Sequence, residues 1–350
     1  MPPEIRIGSR RIGKDRPVFI VAELSANHHQ IFDEAVQLIR AAREAGADAV
    51  KLQTYTPDTL TIDSDLPLFR AGKGTIWDDR CLHEIYREAY TPWEWLPALQ
   101  KTAEKEGLQI FSTPFDTSSV DYLDSLGVPA YKIASFEVVD LPLVRRIAQS
   151  GKPILMSTGM ATESEIEEAV QTIQSAGNHQ IALLKCTSAY PAPASEMNLV
   201  TIPHMAERFG LPVGLSDHTL GIAAPVAAVT LGACIIEKHF TLSRAAPGPD
   251  SPFSLEPVEF RSMVTAIRDT EQALGRVHYG PTDHEAASHA LRRSLFVVED
   301  MEPGEAFSEV NLRSIRPGYG LPPKHYSQIL GRRAAKRIAR GTPLSWDLVT

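Results

Sequence analysis

Short apolar runs alternate with amphipathic stretches through the first 280 residues of the chain. Eight of the runs are nearly continuous in apolar residues, which is typical of parallel strands buried on both faces. These runs are Val18–Ala22, Ala49–Gln53, Gln109–Ser112, Ala130–Ile133, Pro153–Ser157, Ile181–Lys185, Val213–Ser216 and Ile235–His239. The stretches between them have helical periodicity, as in Asp33–Ala45, Trp93–Glu106, Glu163–Ala176, Ala223–Leu231 and Pro257–Ala273.

Glycine follows most of the helical stretches, at the position where a helix C-cap favours a residue without a side chain. These glycines are Gly46, Gly107, Gly127, Gly151, Gly177, Gly210 and Gly232. Eight β-α units in about 280 residues predict a (β/α)8 barrel, the TIM barrel. A doubly wound sheet is the alternative, but it usually has fewer strands and a glycine-rich first turn. The chain has no G-x-G-x-x-G motif.

The two ends of the chain depart from this alternation. The sequences Ile5–Gly8 and Arg11–Gly13 predict a hairpin that closes the bottom of the barrel. Residues 281–290 are polar and predict a linker, and the turn-rich residues 291–350 predict a small domain of short strands. We therefore divide the chain into a barrel domain (1–280), a linker (281–290) and a small domain (291–350). Residues 54–80 are unusually long for a βα loop, which suggests a functional or lid-like role.

Composition narrows the class of protein. The chain has 350 residues, 43% of them hydrophobic and 22% charged, and three widely spaced cysteines. No apolar stretch reaches the roughly 18 residues of a membrane span, and the N-terminus lacks the basic and apolar regions of a signal peptide. The net charge of −8 argues against general nucleic-acid binding. We therefore expect a cytoplasmic protein with reduced thiols and neither nucleic-acid nor membrane partners.

Polar and ionisable residues lie at the carboxyl end of every predicted strand. Active sites of TIM barrels lie at that end, and barrel stability does not require such a distribution, so it indicates an enzyme. The residues in question are Glu23, Lys51, Gln53, Thr113, Lys132, Ser157, Lys185, Ser216, His218, Glu237 and His239.

His218 and His239 end neighbouring predicted strands, which lie about 4.8 Å apart. Two imidazoles at that spacing could bind one divalent cation, or each could simply hydrogen-bond to backbone or to a phosphate. Spacing alone leaves both interpretations open. Manganese, zinc, cobalt or iron would suit the ligand type.

Three lysines on different strands, Lys51, Lys132 and Lys185, are predicted to converge on the same opening. Lysine is rarely buried without a partner, so the group indicates an anionic substrate carrying phosphate or carboxylate. In the alternative, each lysine forms an ion pair with a carboxylate of the protein, such as that of Glu23 or Glu237. We favour the anion, because the lysines outnumber the obvious carboxylate partners.

Hydroxyl donors and carboxylates complete this predicted site. Thr113, Ser135 and Ser216 could donate to the same anion. Glu23 and Glu137 are candidate acids or bases, whereas Glu237 is better explained as an ion-pair partner. We assign Trp77, Trp93 and Trp95 to packing.

Several motifs resemble those of the sialic acid synthases, and together they are specific. The motifs are Ala22-Glu23-Leu24-Ser25-Ala26-Asn27-His28, Lys51-Leu52-Gln53-Thr54, Tyr131-Lys132-Ile133-Ala134-Ser135-Phe136-Glu137, Ser157-Thr158-Gly159-Met160, Gly214-Leu215-Ser216-Asp217-His218 and Ile236-Glu237-Lys238-His239-Phe240. The tail Arg316-Pro317-Gly318-Tyr319-Gly320 resembles the C-terminal domain of that family, an antifreeze-like (SAF, β-clip) domain. The first motif, the run Gln53–Asp58 and the sequence Phe253-Ser254-Leu255 resemble the pseudaminic acid branch.

The resemblance implies a transferase that condenses phosphoenolpyruvate with an acetamido sugar. For the pseudaminic branch the sugar is 2,4-diacetamido-2,4,6-trideoxy-L-altrose. Sialic-type synthases that make N-acetylneuraminate or legionaminate are the alternative within the family. The resemblance further implies a divalent metal, most often Mn²⁺, with Mg²⁺ or Co²⁺ possible, and a domain-swapped homodimer.

Site residues follow from the same resemblance, motif by motif. His218 and His239 would bind the metal. Together with Glu23 and Glu137, the candidate acids or bases named above, they make up the predicted catalytic residues. Phosphoenolpyruvate would be held by Lys51, Thr113, Lys132, Ser135, Ser188 and Ser216. The sugar would be held by Gln53, Tyr190, Asp250 and Arg316, the last supplied by the second subunit.

Two other classes of function remain open on the sequence. A Schiff-base aldolase would use Lys132 or Lys185 as its nucleophile. A non-catalytic sugar-binding module is suggested only by the antifreeze-like tail, and it would not need charged groups at every strand end.

Overall fold

The structure is a computed structural model that describes residues 3–72, 76–246 and 248–350. Met1 and Pro2 of the N-terminal stretch and residues 73–75 of the predicted long loop lie outside the described residues. The chain forms two compact units, Met1–Gly275 and Arg276–Thr350. In the described part of the chain, no helix is both long and apolar enough to cross a membrane.

An antiparallel hairpin opens the first unit, as predicted. Its strands are β1 (Glu4–Ile7) and β2 (Arg10–Gly13). Ile5, Ile7 and Ile12 are buried and pack in one cluster with the residues that fill the amino-terminal half of the barrel interior. The hairpin therefore closes that end of the barrel by burying apolar surface.

Eight parallel strands close into a barrel, in the order in which they occur in the chain, and β10 pairs with both β9 and β3. All eight predicted strands are present, and the (β/α)8 prediction is confirmed. The strands are β3 (Phe19–Glu23), β4 (Ala49–Thr54), β5 (Gln109–Pro114), β6 (Tyr131–Ile133), β7 (Ile154–Ser157), β8 (Ile181–Cys186), β9 (Val213–Asp217) and β10 (Ile235–His239).

Helices connect the strands, and several end at a left-handed glycine, as expected. Gly127 (φ 69°) follows α5 (Thr117–Leu126), and Gly210 (φ 64°) follows α8 (Thr201–Phe209). The other helices of this unit are α1 (Phe32–Glu44), α2 (Pro57–Leu60), α3 (Leu82–Ala89), α4 (Leu96–Lys105), α6 (Leu141–Ala148), α7 (Glu163–Ser175), α9 (Ala223–Thr230) and α10 (Pro257–Leu274).

The strands divide the apolar residues of the barrel into two cores. Residues such as Ile20, Val50 and Leu183 point outward and pack against the helices, in one large cluster. Residues of the opposite parity, such as Val21 and Ala49, point inward and pack with the hairpin. This alternation follows from the two-residue period of a strand, and it fixes which side chains can enter the barrel.

The second unit has its own small core. It contains α11 (Ala286–His289), the antiparallel strands β11 (Ser294–Val297) and β12 (Leu312–Ile315), and α12 (Tyr326–Ile329). Leu295, Met301, Phe307 and Leu344 are buried in its cluster. Arg316 follows β12 and is exposed to solvent within this unit.

Candidate active site

A cavity of about 340 Å³ opens at the carboxyl ends of the barrel strands. Every strand of the barrel contributes to its wall, which is the arrangement that the sequence predicted. The contributing strand residues are Glu23, Lys51, Gln53, Thr113, Lys132, Ser157, Cys186, Ser216, Glu237 and His239.

Strand parity explains why these side chains meet. Glu23, Lys51 and Thr113 lie two residues after the inward-pointing Val21, Ala49 and Phe111, so they also point into the barrel. The same spacing relates the remaining pairs, Ala130 and Lys132, Leu155 and Ser157, and Ile235 and Glu237. These strands therefore supply apolar residues to the inner cluster at the amino-terminal end, which we call the plug, and polar residues to the cavity, whereas β9 has Gly214 two residues before Ser216.

Four charged residues form an ionic cluster at the base of the cavity: Glu23, Lys51, Lys132 and Glu237. Lys51 Nζ lies 3.0 Å from Glu23 Oε2 and 3.1 Å from Glu237 Oε1, and Lys132 Nζ lies 3.6 Å from Glu237 Oε1. All four side chains are at most 6% exposed. The ion-pair role expected of Glu237 is confirmed.

The two carboxylates of the ionic cluster differ in their proton affinity. Burial raises the pKa of Glu23 to about 7, because the attraction of Lys51 offsets only part of the lost hydration. Burial acts on Glu237 as well, but Lys132, Lys51 and a hydrogen bond from Ser216 outweigh it and lower its pKa to about 2. Glu237 is therefore the permanent anion of the cluster, and Glu23 can take up a proton near neutral pH.

Several polar atoms that face the cavity have no protein partner. Among the described residues, the unpaired buried atoms include Glu23 Oε1, Glu137 Oε2, Glu237 Oε2, Ser157 Oγ and His239 Nδ1. All five side chains line the cavity. Because an unpaired buried polar group costs about 1–3 kcal/mol, their concentration in one place indicates a site built to receive a ligand.

Glu137 ends a 3-10 turn, Ser135–Glu137, directly after β6. Burial raises the pKa of this carboxyl to about 7, and the positive charge of Lys132 only partly opposes that effect. A carboxyl with a pKa near the working pH is suited to accept or donate a proton during a reaction.

The rings of His218 and His239 lie side by side in the cavity, with their centres 5.3 Å apart. His218 Nδ1 lies 3.0 Å from the carbonyl oxygen of Thr187 and donates to it, so Nε2 carries the lone pair when the ring is neutral. Burial lowers the pKa of His218, but the neighbouring Cys186 outweighs burial and raises it. Burial lowers the pKa of His239 well below its usual value, which keeps this imidazole neutral. Asp250 Oδ2 lies 3.9 Å from His239 Nδ1.

These residues fit a divalent ion, since neutral imidazoles are good ligands for Mn²⁺-type metals. Among the described residues, no group of three or more His, Cys, Asp and Glu side chains is arranged as a complete metal cage. Two histidines would therefore leave most coordination positions to substrate and water, as in catalytic rather than structural sites.

The other residues predicted to bind substrate are distributed as follows. Ser135, Gln53, Tyr190 and Asp250 line the cavity. Ser188 lies beside Ser135, because a side chain at Gly159 would collide with both hydroxyls, and Ser135 Oγ accepts a hydrogen bond from the Gly159 amide (3.1 Å). Arg316 belongs to the second unit.

The expectation that Lys185 converges with Lys51 and Lys132 was wrong. Lys185 has the outward parity of Ile181 and Leu183, and its Nζ donates to the carbonyl of Cys186 (2.8 Å). The run Ile181–Lys185 is apolar on both faces, so its parity could not be read from the sequence.

Three residues that line the cavity were given no substrate role by the sequence. Ser157 was expected at a strand end, and it enters the cavity because it follows the inward Leu155 by two residues. Cys186 Sγ lies 3.9 Å from His218 Nδ1. Burial alone would raise the pKa of the Cys186 thiol, but His218 outweighs burial and lowers this pKa to about 7. Trp77, assigned to packing, donates from Nε1 to the carbonyl of Pro249 (3.1 Å) and also faces the cavity.

Comparisons with known proteins agree with this fold. Residues 38–279 match the model of the NeuB family, and residues 292–350 match that of the SAF domain. A pseudaminic acid synthase of Campylobacter jejuni is 46% identical over 94% of this chain and 96% of its own length. An N,N'-diacetyllegionaminic acid synthase of Legionella pneumophila is 37% identical over 97% of each chain.

Solved structures agree as well. The crystal structure of N-acetylneuraminic acid synthetase from Leptospira borgpetersenii, in complex with citrate, aligns with a TM-score of 0.72 and 32% identity, over 82% of this chain and 95% of that one. The resemblance to sialic acid synthases, and to their pseudaminic branch in particular, is thereby confirmed. The chain belongs to the NeuB family.

Proposed function

We propose that this protein condenses phosphoenolpyruvate with 2,4-diacetamido-2,4,6-trideoxy-L-altrose, which makes it a pseudaminic acid synthase. The observation that carries this proposal is the group of unpaired buried polar atoms in a cavity that also holds two lysines and two neighbouring histidines. The 46% identity to a pseudaminic acid synthase, against 37% to a legionaminic acid synthase, supports the choice of sugar.

Phosphoenolpyruvate brings a phosphate and a carboxylate, and the cavity offers charge and hydroxyl donors for both. Lys51 and Lys132 supply positive charge at the base. Thr113 Oγ1 lies 3.4 Å from Lys51 Nζ. The hydroxyls of Ser135, Ser157 and Ser216 also line the cavity, and Ser188 lies beside Ser135. Gly159 lets Ser135 and Ser188 approach each other, which forms a small polar recess suited to phosphate oxygens.

His218 and His239 would hold a divalent ion, Mn²⁺ in our proposal, which supplies Lewis-acid polarisation of the sugar's carbonyl oxygen when bound. The hydrogen bond of His218 to the Thr187 carbonyl orients its ring for this role. Asp250 and Tyr190, which pack beside the two histidines, would orient the sugar.

Two glutamates would act on the reacting carbons. As C3 of phosphoenolpyruvate attacks the sugar carbonyl carbon, positive charge develops at C2, and the carboxylates of Glu23 and Glu137 would stabilise it. Glu137 would then take a proton from the water that adds to C2. The resulting tetrahedral centre loses phosphate by cleavage of the C2–O bond, and Lys132 with the neighbouring hydroxyls would bind the departing phosphate.

The test of this function is phosphate release from phosphoenolpyruvate in the presence of Mn²⁺. The L-altro diacetamido sugar is compared with N-acetylmannosamine and with the legionaminate precursor. Release with the first sugar alone is expected. Release with only one of the others would assign the enzyme to the neuraminate or legionaminate branch.

We further propose that Arg316 reaches the sugar from a second copy of the chain in a homodimer. Arg316→Ala and Glu137→Gln variants should then each be inactive alone and should complement when they are mixed and refolded together. One site of each mixed dimer is intact, so up to about a quarter of wild-type activity should return. No recovery would place Arg316 in the site of its own chain, and an Arg316→Ala variant that is active alone would place it outside any site.

A Schiff-base aldolase stays as the second candidate, because burial lowers the pKa of Lys132 and so brings this amine closer to the form that attacks a carbonyl. Only Lys132 remains for that role, since Lys185 points away from the cavity. Trapping of pyruvate on the enzyme by borohydride, with activity that survives EDTA, would favour the aldolase over the synthase.

A further inference from the structure

One side of the cavity is apolar, and it is formed by a different segment of the chain from the polar side. The polar wall comes from the barrel strands, whereas the apolar wall comes mainly from the connection between β4 and α4. This wall consists of Tyr55, Leu60, Ala71, Leu82, Ile85 and Ala89, together with Phe115 after β5.

Helix α3 presents one continuous stripe to the cavity. Leu82, Ile85, Tyr86 and Ala89 all line it, and their spacing of three, four and seven residues places them on one helix face. Ile85 and Ala89 are only 7% and 8% exposed, yet neither belongs to a hydrophobic cluster of the described residues. The stripe therefore faces the cavity rather than the core of the barrel.

Contacts on both sides hold this wall in place. Tyr55 packs edge-on against Tyr86 (5.9 Å between ring centres) and against Phe115 (5.2 Å). On the far face of α3, His83 Nε2 lies 2.9 Å from Asp58 Oδ1, which ties α3 to α2. The stripe is thus a fixed surface with a polar reaction centre opposite it.

We propose that α3 is the element that selects the sugar, and that its stripe of Leu82, Ile85 and Ala89 contacts the C6 methyl group of the substrate. This inference rests on the proposed function, in which the polar wall binds phosphoenolpyruvate and the carbonyl end of the sugar. The remaining end of a 6-deoxy sugar is a methyl group. A hydroxymethyl group in contact with Leu82, Ile85 and Ala89 would have to bury its hydroxyl against three side chains that offer no hydrogen bond.

The expected preference for the 6-deoxy sugar can be judged from other apolar pockets that discriminate between similar substrates. An apolar pocket discriminates against one misplaced or missing small group by about 10- to 200-fold in kcat/KM. Wild-type enzyme should therefore prefer the 6-deoxy sugar to the otherwise identical 6-hydroxy sugar by about 10- to 100-fold.

The test compares Ile85→Thr with a matched control, Ile62→Thr. Ile62 lies in the same connection but is 58% exposed and does not line the cavity. We expect Ile85→Thr to reduce the preference for the 6-deoxy sugar about tenfold, through the KM of the sugar, with an unchanged KM for phosphoenolpyruvate. Ile62→Thr should keep the wild-type preference.

Each outcome decides the proposal. An unchanged preference in an active Ile85→Thr enzyme, or an equal rise in the KM of phosphoenolpyruvate, would overturn the role of α3. If Ile85→Thr does not fold, as judged by circular dichroism, Ala89→Ser places a single hydroxyl on the same stripe and must shift the preference in the same direction. If wild-type enzyme releases no phosphate with the 6-deoxy sugar, the proposed function fails and this inference fails with it.

Discussion

The two halves of the barrel interior are built from the same eight strands and have opposite chemistry. The amino-terminal half is filled by Phe19, Phe111, Leu155 and Ile235, and the hairpin seals it. The carboxyl-terminal half, further along the same strands, holds the ionic cluster and unpaired buried atoms such as Ser157 Oγ. A shift of two residues thus separates a surface that stabilises the fold from one that binds a ligand.

The contrast shows where folding free energy is gained and where it is given up. Each fully buried apolar side chain of the plug contributes about 1.5–3 kcal/mol. Buried charges in the cavity destabilise the ligand-free fold, because the desolvation of an ion is only partly offset by its partner. Substitutions in the two halves should therefore change different measured quantities.

The largest effect is expected from loss of the base in the polar half. Glu137→Gln keeps the shape of the side chain but cannot accept a proton, so kcat should fall at least about 100-fold. His239→Ala should lose at least as much. The measurement is steady-state phosphate release at pH 7.5, and the melting temperature of Glu137→Gln should not decrease.

A matched control for that variant exists in the chain. Glu196 ends a 3-10 turn after β8, as Glu137 does after β6, but it is exposed and does not line the cavity. Glu196→Gln should retain full activity. Near-normal turnover of Glu137→Gln would remove that residue from the mechanism.

The apolar half should show the reverse pattern. Phe111 is 1% exposed in the plug, and Phe111→Ala should lower the free energy of unfolding by about 3–5 kcal/mol. Denaturant unfolding measures this loss. Enzyme that remains folded should keep its KM for phosphoenolpyruvate, and a large rise in that KM without loss of stability would mean that the two halves are not separate.

The pH dependence of the rate should report the raised pKa of Glu137. This carboxyl stays protonated up to about pH 7 in the folded enzyme and can act as a base only above it. The ratio kcat/KM, which reports groups of the free enzyme, should therefore rise about tenfold per pH unit below 7 and level off above it. The inflection should vanish in the residual activity of Glu137→Gln, and its persistence there would assign it to another group such as Glu23.

The smallest effect is a gain in stability. Because the folded pKa of Glu137 lies above its ordinary value, the folded state binds more protons between pH 4.5 and 7, and this group's contribution to stability is lost as pH rises through that window. At pH 8, Glu137→Gln should be more stable than wild type by on the order of 1 kcal/mol. At pH 4 the difference should disappear, and a destabilised variant at pH 8 would contradict this reasoning.

Much of the barrel was predictable because its signals are local. Each strand is a short apolar run, and the glycines that end the helices take the positive φ that the pattern implies. The polar residues at the strand ends were also visible, since a two-residue period relates Lys51 to Gln53 and Glu237 to His239. Lys185 was misplaced because Ile181–Lys185 is buried on both faces and its register depends on neighbouring strands.

The apolar wall could not be predicted from its sequence. The stripe on α3 looks like any amphipathic face, and only the fold shows that it covers a cavity instead of the core. Cys186 was missed for a related reason. A buried cysteine in a strand gives no sign of the histidine beside it, because His218 is 32 residues away in the chain.

The central claim is that the polar half of the barrel adds water to C2 of phosphoenolpyruvate during condensation. Phosphoenolpyruvate labelled with ¹⁸O in the oxygen that bridges C2 and phosphorus tests this directly, with mass spectrometry of both products of the reaction with the L-altro sugar. The mechanism through Glu137 predicts that the label leaves in the released phosphate, because the C2–O bond breaks. Label retained in the nine-carbon acid would mean that the P–O bond breaks instead, and would contradict it.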